Sequence, residues 1–179
     1  MWTLANILTI TRLVLLPFII ALFFIPAEWA AWACLALYVT GALTDYLDGW
    51  VARKFDQVSE FGKLIDPISD KIFVVTVMLM LIAVGRITDI WVVAVVIILM
   101  REFLVAGLRE FLGPKNIKLP VIQLAKWKTA AQMAAIAILI VSPYIFAGEI
   151  LGLGLLVIAA GLTAVTGWEY LKTAWPHVK

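Results

Sequence analysis

Four of the aspartates in one polar stretch, Asp45, Asp48, Asp66 and Asp70, are regularly spaced in a chain that is otherwise strongly apolar. The stretch from Asp45 to Asp70 reads DYLDGWVARKFDQVSEFGKLIDPISD and is followed by Lys71. Before Asp45 and after Lys71 the chain runs for 16 and 14 positions without a charge. Charged side chains are costly in an apolar environment. Their concentration in one segment therefore indicates a functional site.

The spacing of these aspartates is helical. At about 100° per residue, four residues share one helix face at i, i+3, i+4 and i+7: Asp45, Asp48, Gly49 and Ala52. A second stripe has two more carboxylates and a glycine at i, i+4 and i+8: Gly62, Asp66 and Asp70. Residues 54–61 are polar enough to form the turn between two helices, so a hairpin would bring all four carboxylates together.

Four carboxylates at close range need positive charge among them. At an effective dielectric constant of about 20, two carboxylates about 4 Å apart repel by roughly 4 kcal/mol. The segment contains no His or Cys, so Mg²⁺ or Mn²⁺ fits its oxygen donors better than zinc does. Four carboxylates can hold two such ions, and paired metal ions commonly assist in-line displacement at phosphorus.

Small residues and one arginine accompany the carboxylates. Gly49, Ala52 and Gly62 leave room for a bulky anionic ligand to lie against the backbone, and Arg53 can offer its planar fork of donors to a phosphate. The alternative for each aspartate alone is a helix cap or a solvated carboxylate, and for Arg53 a positive flank that sets membrane orientation. The fixed spacing of all four aspartates favours metal ligation.

The whole segment resembles a known enzyme signature, that of the CDP-alcohol phosphotransferase family. It reads Asp45-x2-Asp48-Gly49-x2-Ala52-Arg53-x8-Gly62-x3-Asp66-x3-Asp70, without a departure at any defining position. Members are integral membrane enzymes that transfer a substituted phosphate from a CDP-linked donor to an alcohol and release CMP. The resemblance implies that the four aspartates hold two divalent ions, that Asp70 also acts as general base, and that the small residues and Arg53 bind the donor.

The composition of the chain is that of a membrane protein. Of its 179 residues, 64% are hydrophobic and 15% are charged, and the net charge of +2 is too small to suggest a nucleic-acid partner. We expect one domain over residues 1–179, with an all-α polytopic fold of six transmembrane helices after a short interfacial helix over residues 2–12. The predicted spans are residues 13–27, 29–44, 66–85, 91–110, 129–148 and 150–168, and residues 113–128 are expected to form a loop.

The cations predict the orientation of these spans. With six spans, 13 of the 14 Lys and Arg residues fall on one side, and Arg86 alone falls on the other. By the positive-inside rule, both termini and the carboxylate cluster then face the cytoplasm of an inner-membrane protein.

A second pattern lies near the N-terminus. Asn6, Thr9, Arg12 and Pro17 form N-x2-T-x2-R-x4-P, which resembles the opening of family members that use glycerol 3-phosphate as acceptor. The resemblance implies that Asn6 and Thr9 contact the donor, with helix capping as the alternative. For Arg12 the alternatives are the acceptor phosphate and a lipid-facing anchor.

Two further segments, residues 101–113 and 126–133, resemble the same subgroup. They carry cations on the expected cytoplasmic side, and the candidates for binding the acceptor phosphate are Arg12, Arg101, Arg109, Lys126 and Lys128. Arg101 lies 12 residues after Asp89, about 18 Å along a helix and so within the bilayer, where a cation needs a partner. For each lysine the alternative is orientation alone, and for Arg101 a structural ion pair.

The resemblance implies CDP-diacylglycerol as donor, sn-glycerol 3-phosphate as acceptor, membrane lipids as surroundings and a homodimeric assembly. A different acceptor remains open, for example inositol phosphate, or phosphatidylglycerol as in cardiolipin synthesis. A divalent-cation transporter is the alternative from another class, but it would need carboxylates near the bilayer midplane with access from both faces.

Overall fold

The computed structural model describes residues 4–55, 60–115, 117 and 123–177; at residues 4–7, 45–55, 60–61, 63–64, 114 and 177 only the backbone is described. Six α-helices and no strand occur in these ranges, which confirms the all-α prediction for them. The helices are α1 (Leu4–Phe23), α2 (Glu28–Phe55), α3 (Glu60–Ala83), α4 (Trp91–Leu112), α5 (Gln123–Val141) and α6 (Gly148–Ala174).

Three of the described helical segments are long and apolar enough to cross a membrane: Trp91–Leu112, Gln123–Tyr144 and Gly148–Ala174. A shorter apolar stretch covers Leu8–Phe23 in α1. Many large apolar side chains on these helices are exposed, among them Phe103, Ile158 and Val165. Exposed apolar surface of this extent suits a lipid environment, so the helices indicate membrane integration.

The first compact unit comprises residues 1–86 and 140–146. In it, α1 packs against both α2 and α3. The ring of Phe73 stacks on Tyr38, with ring centroids 5.7 Å apart. A Cβ added at Gly41 would lie 2.4 Å from the Phe73 ring, so the glycine is what lets this α3 side chain reach the backbone of α2.

Arg86 closes the first unit at the end of α3. The helix stops after Ala83, where Gly85 adopts a left-handed φ of 71° and the amide of Arg86 donates to the Leu81 carbonyl at 2.9 Å, as at many glycine-terminated helices. The Arg86 guanidinium donates to the Ile140 carbonyl and lies over the ring of Phe23. One side chain thus ties together three parts of the unit.

The second compact unit comprises residues 87–139 and 147–179. Its main contact is between α4 and α6, and small residues on α6 bring neighbouring side chains close to its backbone. A Cβ at Gly152 would lie 2.7 Å from Leu139 Cγ, and one at Gly167 would lie 2.9 Å from Arg101 Cγ. Small residues of this kind permit the close helix packing that membrane proteins use.

Three predicted boundaries were wrong. Within the described residues, α1 runs unbroken from Leu4 to Phe23 and accommodates Pro17, so no break separates the predicted interfacial helix over residues 2–12 from the span predicted to start at residue 13. Helix α2 extends to Phe55 and helix α3 begins at Glu60, so both ends of the predicted turn over residues 54–61 are helical, and residues 56–59 lie outside the described residues. The helix α5 begins at Gln123, so Lys126 and Lys128 lie on a helix and not in the predicted loop. The sequence between Pro120 and Lys128 contains no further Gly or Pro that would prevent a helix from starting at Gln123.

We predict that Gly152→Ala destabilises the protein by about 1 to 3 kcal/mol, because its methyl group would overlap the branch point of Leu139. Gly154→Ala is the matched control, since a Cβ there meets nothing within 4 Å and alanine favours helix. Thermal unfolding in detergent, followed by circular dichroism, should show a lower Tm for Gly152→Ala alone. Equal Tm values for the two variants would contradict this packing.

Candidate active site

The helix α3 places two of the predicted carboxylates and one predicted glycine on a single stripe. Gly62, Asp66 and Asp70 are spaced by four residues within one continuous helix, so the predicted second stripe is confirmed. Gly62 is buried, Asp66 is half-buried and Asp70 is exposed. The stripe therefore runs from the interior of the unit to its surface, with Asp70 at the accessible end.

Thr9 on α1 holds the Asp66 carboxylate. Its hydroxyl donates to Asp66 Oδ1 at 2.7 Å, and the Ser69 hydroxyl donates to the Thr9 carbonyl at 3.4 Å. Thr9 is 1% exposed, so this is an interior contact between α1 and α3. A carboxylate has about four lone-pair sites, and one bond from Thr9 leaves Asp66 able to bind a cation.

Thr9 lies within α1 and not at its N-terminus, so the alternative of a helix cap is wrong. The predicted contact with the donor stays a prediction, and in this structure the hydroxyl bonds Asp66. The bond to Asp66 fixes the orientation of a carboxylate, as second-layer groups do around protein-bound metal ions. Nothing in the sequence signals this pairing, because the two residues lie 57 positions apart.

Arg12 is enclosed by the protein. Its relative exposure is 1%, so the alternative of a lipid-facing anchor is wrong. It lies three residues after Thr9 in α1 and thus on the same side of that helix. A buried guanidinium must be compensated by partners, and it adds positive charge on the side of α1 that carries Thr9.

The other predicted residues of this site are described only by their backbone. Asp45, Asp48, Gly49, Ala52 and Arg53 lie within α2, which stays helical to Phe55. Their predicted helical spacing therefore holds, while their side chains, like that of Asn6, lie outside the description. Among the side chains that are described, a set without Asp45 and Asp48, no group of three or more potential metal ligands occurs.

The described part of the site fits a hard divalent cation. Asp66 and Asp70 offer only carboxylate oxygens, one helical turn apart, and such donors suit Mg²⁺ or Mn²⁺. The bond from Thr9 fixes one of the two carboxylates before any ion arrives. Preorganised donors lower the cost of binding.

The second unit contains a cluster of cations around one carboxylate. Arg101 Nη1 lies 3.2 Å from Glu102 Oε1, and the Lys128 ammonium also donates to Glu102. The side chains of Arg101 and Lys128 are only 11% and 4% exposed. These two ion pairs of the described side chains contain two sheltered cations and one carboxylate, a balance of charge that would attract an anion.

Arg101 and Arg109 both contact Tyr170 on α6. The guanidinium carbons lie 5.2 Å and 5.7 Å from the centre of the Tyr170 ring. Lys126 is exposed, and at two residues from Lys128 it lies on a different face of α5. Of the predicted acceptor-binding cations in the second unit, the structure therefore brings three together and leaves Lys126 apart.

Sequence reasoning missed Glu102, Gly167 and Tyr170. Glu102 could have been predicted from the sequence, since a carboxylate inside an apolar span needs a charged partner, as Arg101 does. Gly167 and Tyr170 could not, because tyrosine and glycine are ordinary residues in an apolar helix. Their roles follow from which side chain packs onto them.

These features are those of an integral membrane protein that binds anionic ligands: helices that can cross a membrane, a carboxylate stripe and a sheltered cation cluster. The family model described as CDP-alcohol phosphatidyltransferase matches residues 2–166. The chain belongs to this family, as its aspartate motif predicted.

Several relatives match nearly the full length. CDP-diacylglycerol–glycerol-3-phosphate 3-phosphatidyltransferase of Cereibacter sphaeroides is 38% identical, over 99% of this chain and 98% of that protein. The Rickettsia prowazekii protein of the same name is 44% identical, over 94% and 93%. CDP-diacylglycerol–glycerol-3-phosphate 3-phosphatidyltransferase 2 of Arabidopsis thaliana is 34% identical, over 97% and 80%.

We predict that Thr9→Val weakens divalent-ion binding by about 10- to 100-fold, because Asp66 would lose the bond that orients it. Thr9→Ser keeps a hydroxyl and should bind nearly as the unchanged protein does. Calorimetric titration with Mn²⁺ measures both. Thr40→Val is the matched control, since Thr40 is exposed and bonds only the Ala36 carbonyl of its own helix turn; unchanged affinity in Thr9→Val would refute the orienting role.

Proposed function

We propose that this chain transfers the phosphatidyl group of CDP-diacylglycerol to the C1 hydroxyl of sn-glycerol 3-phosphate, giving phosphatidylglycerophosphate and CMP. The observation that carries the proposal is the near full-length match to relatives named for these two substrates. The stripe of Asp66 and Asp70, held by Thr9, supplies side chains suited to this chemistry.

Two divalent ions, Mg²⁺ or Mn²⁺, would be held by Asp45, Asp48, Asp66 and Asp70. When bound, they would neutralise the pyrophosphate of the donor and improve CMP as a leaving group. The chain's own part is to keep the carboxylates fixed. The Thr9 hydroxyl does so for Asp66.

Asp70 is our candidate for the general base. It is exposed at the end of the stripe, where a water-soluble acceptor can reach it. Asp70 would take the proton of the C1 hydroxyl while that oxygen bonds to the β-phosphorus of the donor. The bond from that phosphorus to the CMP oxygen would break in the same displacement, and CMP would leave as an anion.

The donor would lie against small residues. Gly49, Ala52 and Gly62 would leave room for the cytidine and pyrophosphate, Arg53 would bind a phosphate, and Asn6 would contact the nucleotide. The acyl chains would remain in the bilayer.

The acceptor phosphate would bind Arg101, Arg109 and Lys128, with Arg12 as a further candidate. Within the second unit, both Arg101 and Lys128 pair with Glu102. A phosphate dianion would balance the excess positive charge, and arginine can hold it through paired hydrogen bonds. Lys126, which is exposed, would contribute at most a longer-range attraction.

For the membrane arrangement we propose six spans in one functional domain over residues 1–179. Both termini and the carboxylates would face the cytoplasm of the inner membrane, and the chain would form a homodimer. The cation distribution along the sequence supports the orientation, and the three long apolar segments support membrane integration.

The direct test is CMP release by the purified protein in mixed micelles with CDP-diacylglycerol. We expect release only when both sn-glycerol 3-phosphate and Mg²⁺ or Mn²⁺ are present, with phosphatidylglycerophosphate as the lipid product by mass spectrometry. Parallel reactions contain inositol phosphate or phosphatidylglycerol in place of the acceptor. A faster reaction with either, or metal flux into sealed vesicles without CMP release, would overturn the assignment.

We predict that Asp70→Asn lowers kcat by about 10²- to 10⁴-fold, the usual contribution of a general base, while donor binding is kept. Asp89→Asn is the matched control, because Asp89 lies in a turn with a φ of 47° that asparagine also tolerates. Single-turnover CMP release and equilibrium binding of CDP-diacylglycerol separate the two effects. Normal turnover in Asp70→Asn would remove Asp70 from this role.

A further inference from the structure

Tyr170 is the point at which two arginines of α4 meet α6. Arg101 and Arg109 lie eight residues apart on α4, about 12 Å along the helix axis. Both guanidinium groups nevertheless lie close to one ring, at 5.2 Å and 5.7 Å from its centre. Tyr170 is 1% exposed and the Arg101 side chain 11%, whereas Arg109 is exposed. A cation over an aromatic face is held more strongly when water is excluded, so the Arg101 contact is the stronger of the two.

The backbone of α6 is shaped for the first of these arginines. The aliphatic part of Arg101 crosses α6 at Gly167, where a Cβ would lie 2.9 Å from Arg101 Cγ and 3.7 Å from Arg101 Cβ. Gly167 and Tyr170 are one turn apart on the same face of α6. The glycine therefore admits the stem of Arg101, and the tyrosine ring receives its charged end.

The ring, and not the hydroxyl, makes these contacts. Among the described residues the buried Tyr170 hydroxyl has no hydrogen-bond partner. A buried hydroxyl without a partner destabilises a protein, so the benefit of this residue must come from its aromatic face.

We infer that Tyr170 is a positioning residue for the acceptor phosphate: its ring holds Arg101 and Arg109 so that both can bind one phosphate group. The inference rests on the proposed function, in which these arginines bind the acceptor. It assigns to Tyr170 and Gly167 an effect on acceptor affinity. Both residues contact the arginines and not the reacting atoms.

The first test compares Tyr170→Leu with Tyr170→Phe. Losing the ring should raise KM for sn-glycerol 3-phosphate about 10- to 30-fold, which corresponds to one sheltered cation–π contact. We expect kcat to change by less than about 3-fold and KM for CDP-diacylglycerol to stay unchanged. Tyr170→Phe keeps the ring and should restore nearly the original KM. Phe111→Leu is the control, since that exposed ring lies under Lys115, a cation not assigned to the acceptor.

The second test reaches the same arginine without altering the ring. Gly167→Ala would push the stem of Arg101 away from α6 and should raise the same KM. Gly161→Ala is its matched control on the same helix, because a Cβ there meets nothing within 4 Å.

The inference is overturned if Tyr170→Leu stays within 2-fold of the original KM, if Tyr170→Phe is as impaired as Tyr170→Leu, or if the KM values of both substrates rise together. Calorimetric binding of sn-glycerol 3-phosphate measures the same affinities without turnover. If sn-glycerol 3-phosphate binds more weakly to Tyr170→Leu and normally to Tyr170→Phe, the positioning role is supported. If the same protein releases no CMP, only the proposed reaction is wrong. Absence of binding to the unchanged protein overturns both.

Discussion

Charge enclosed by apolar helices is the constraint on which the rest of the structure depends. Arg12 and Lys128 are almost completely buried, and an unpaired charge in such surroundings would be prohibitively costly. The chain meets this constraint separately in each compact unit. In the first, a hydroxyl of α1 bonds a carboxylate of α3. In the second unit, the Glu102 carboxylate pairs with two cations, and the Tyr170 ring contacts two arginines.

The two units hold complementary chemistry. The described stripe of the first unit is acidic and exposes Asp70, as a site for cations and for proton transfer requires. The cluster of the second unit has an excess of positive charge, as a site for a phosphate requires. Each unit builds these features from a few polar residues on otherwise apolar helices.

Much of the fold and of the carboxylate stripe could be predicted from the sequence, because charged residues are rare in apolar helices and are easily recognised there. The helical spacing of Asp66 and Asp70 followed from residue type and period, and the family followed from the resemblance of the aspartate motif to a known signature. The start of α5 could not be predicted, since the lysines of residues 115–128 resemble a solvated loop until tertiary packing buries Lys128. The bond from Thr9 to Asp66 and the packing of Arg101 on Gly167 and Tyr170 depend on contacts between distant parts of the chain, which periodicity does not encode.

The central claim is that the aspartates of α2 and α3 hold a pair of divalent ions. Electron paramagnetic resonance during a Mn²⁺ titration of the purified protein tests it most directly. The account predicts two bound Mn²⁺ ions per chain with a spin-coupled spectrum, and loss of that coupling in Asp66→Asn. A single magnetically isolated ion, or an unchanged spectrum in Asp66→Asn, would contradict it.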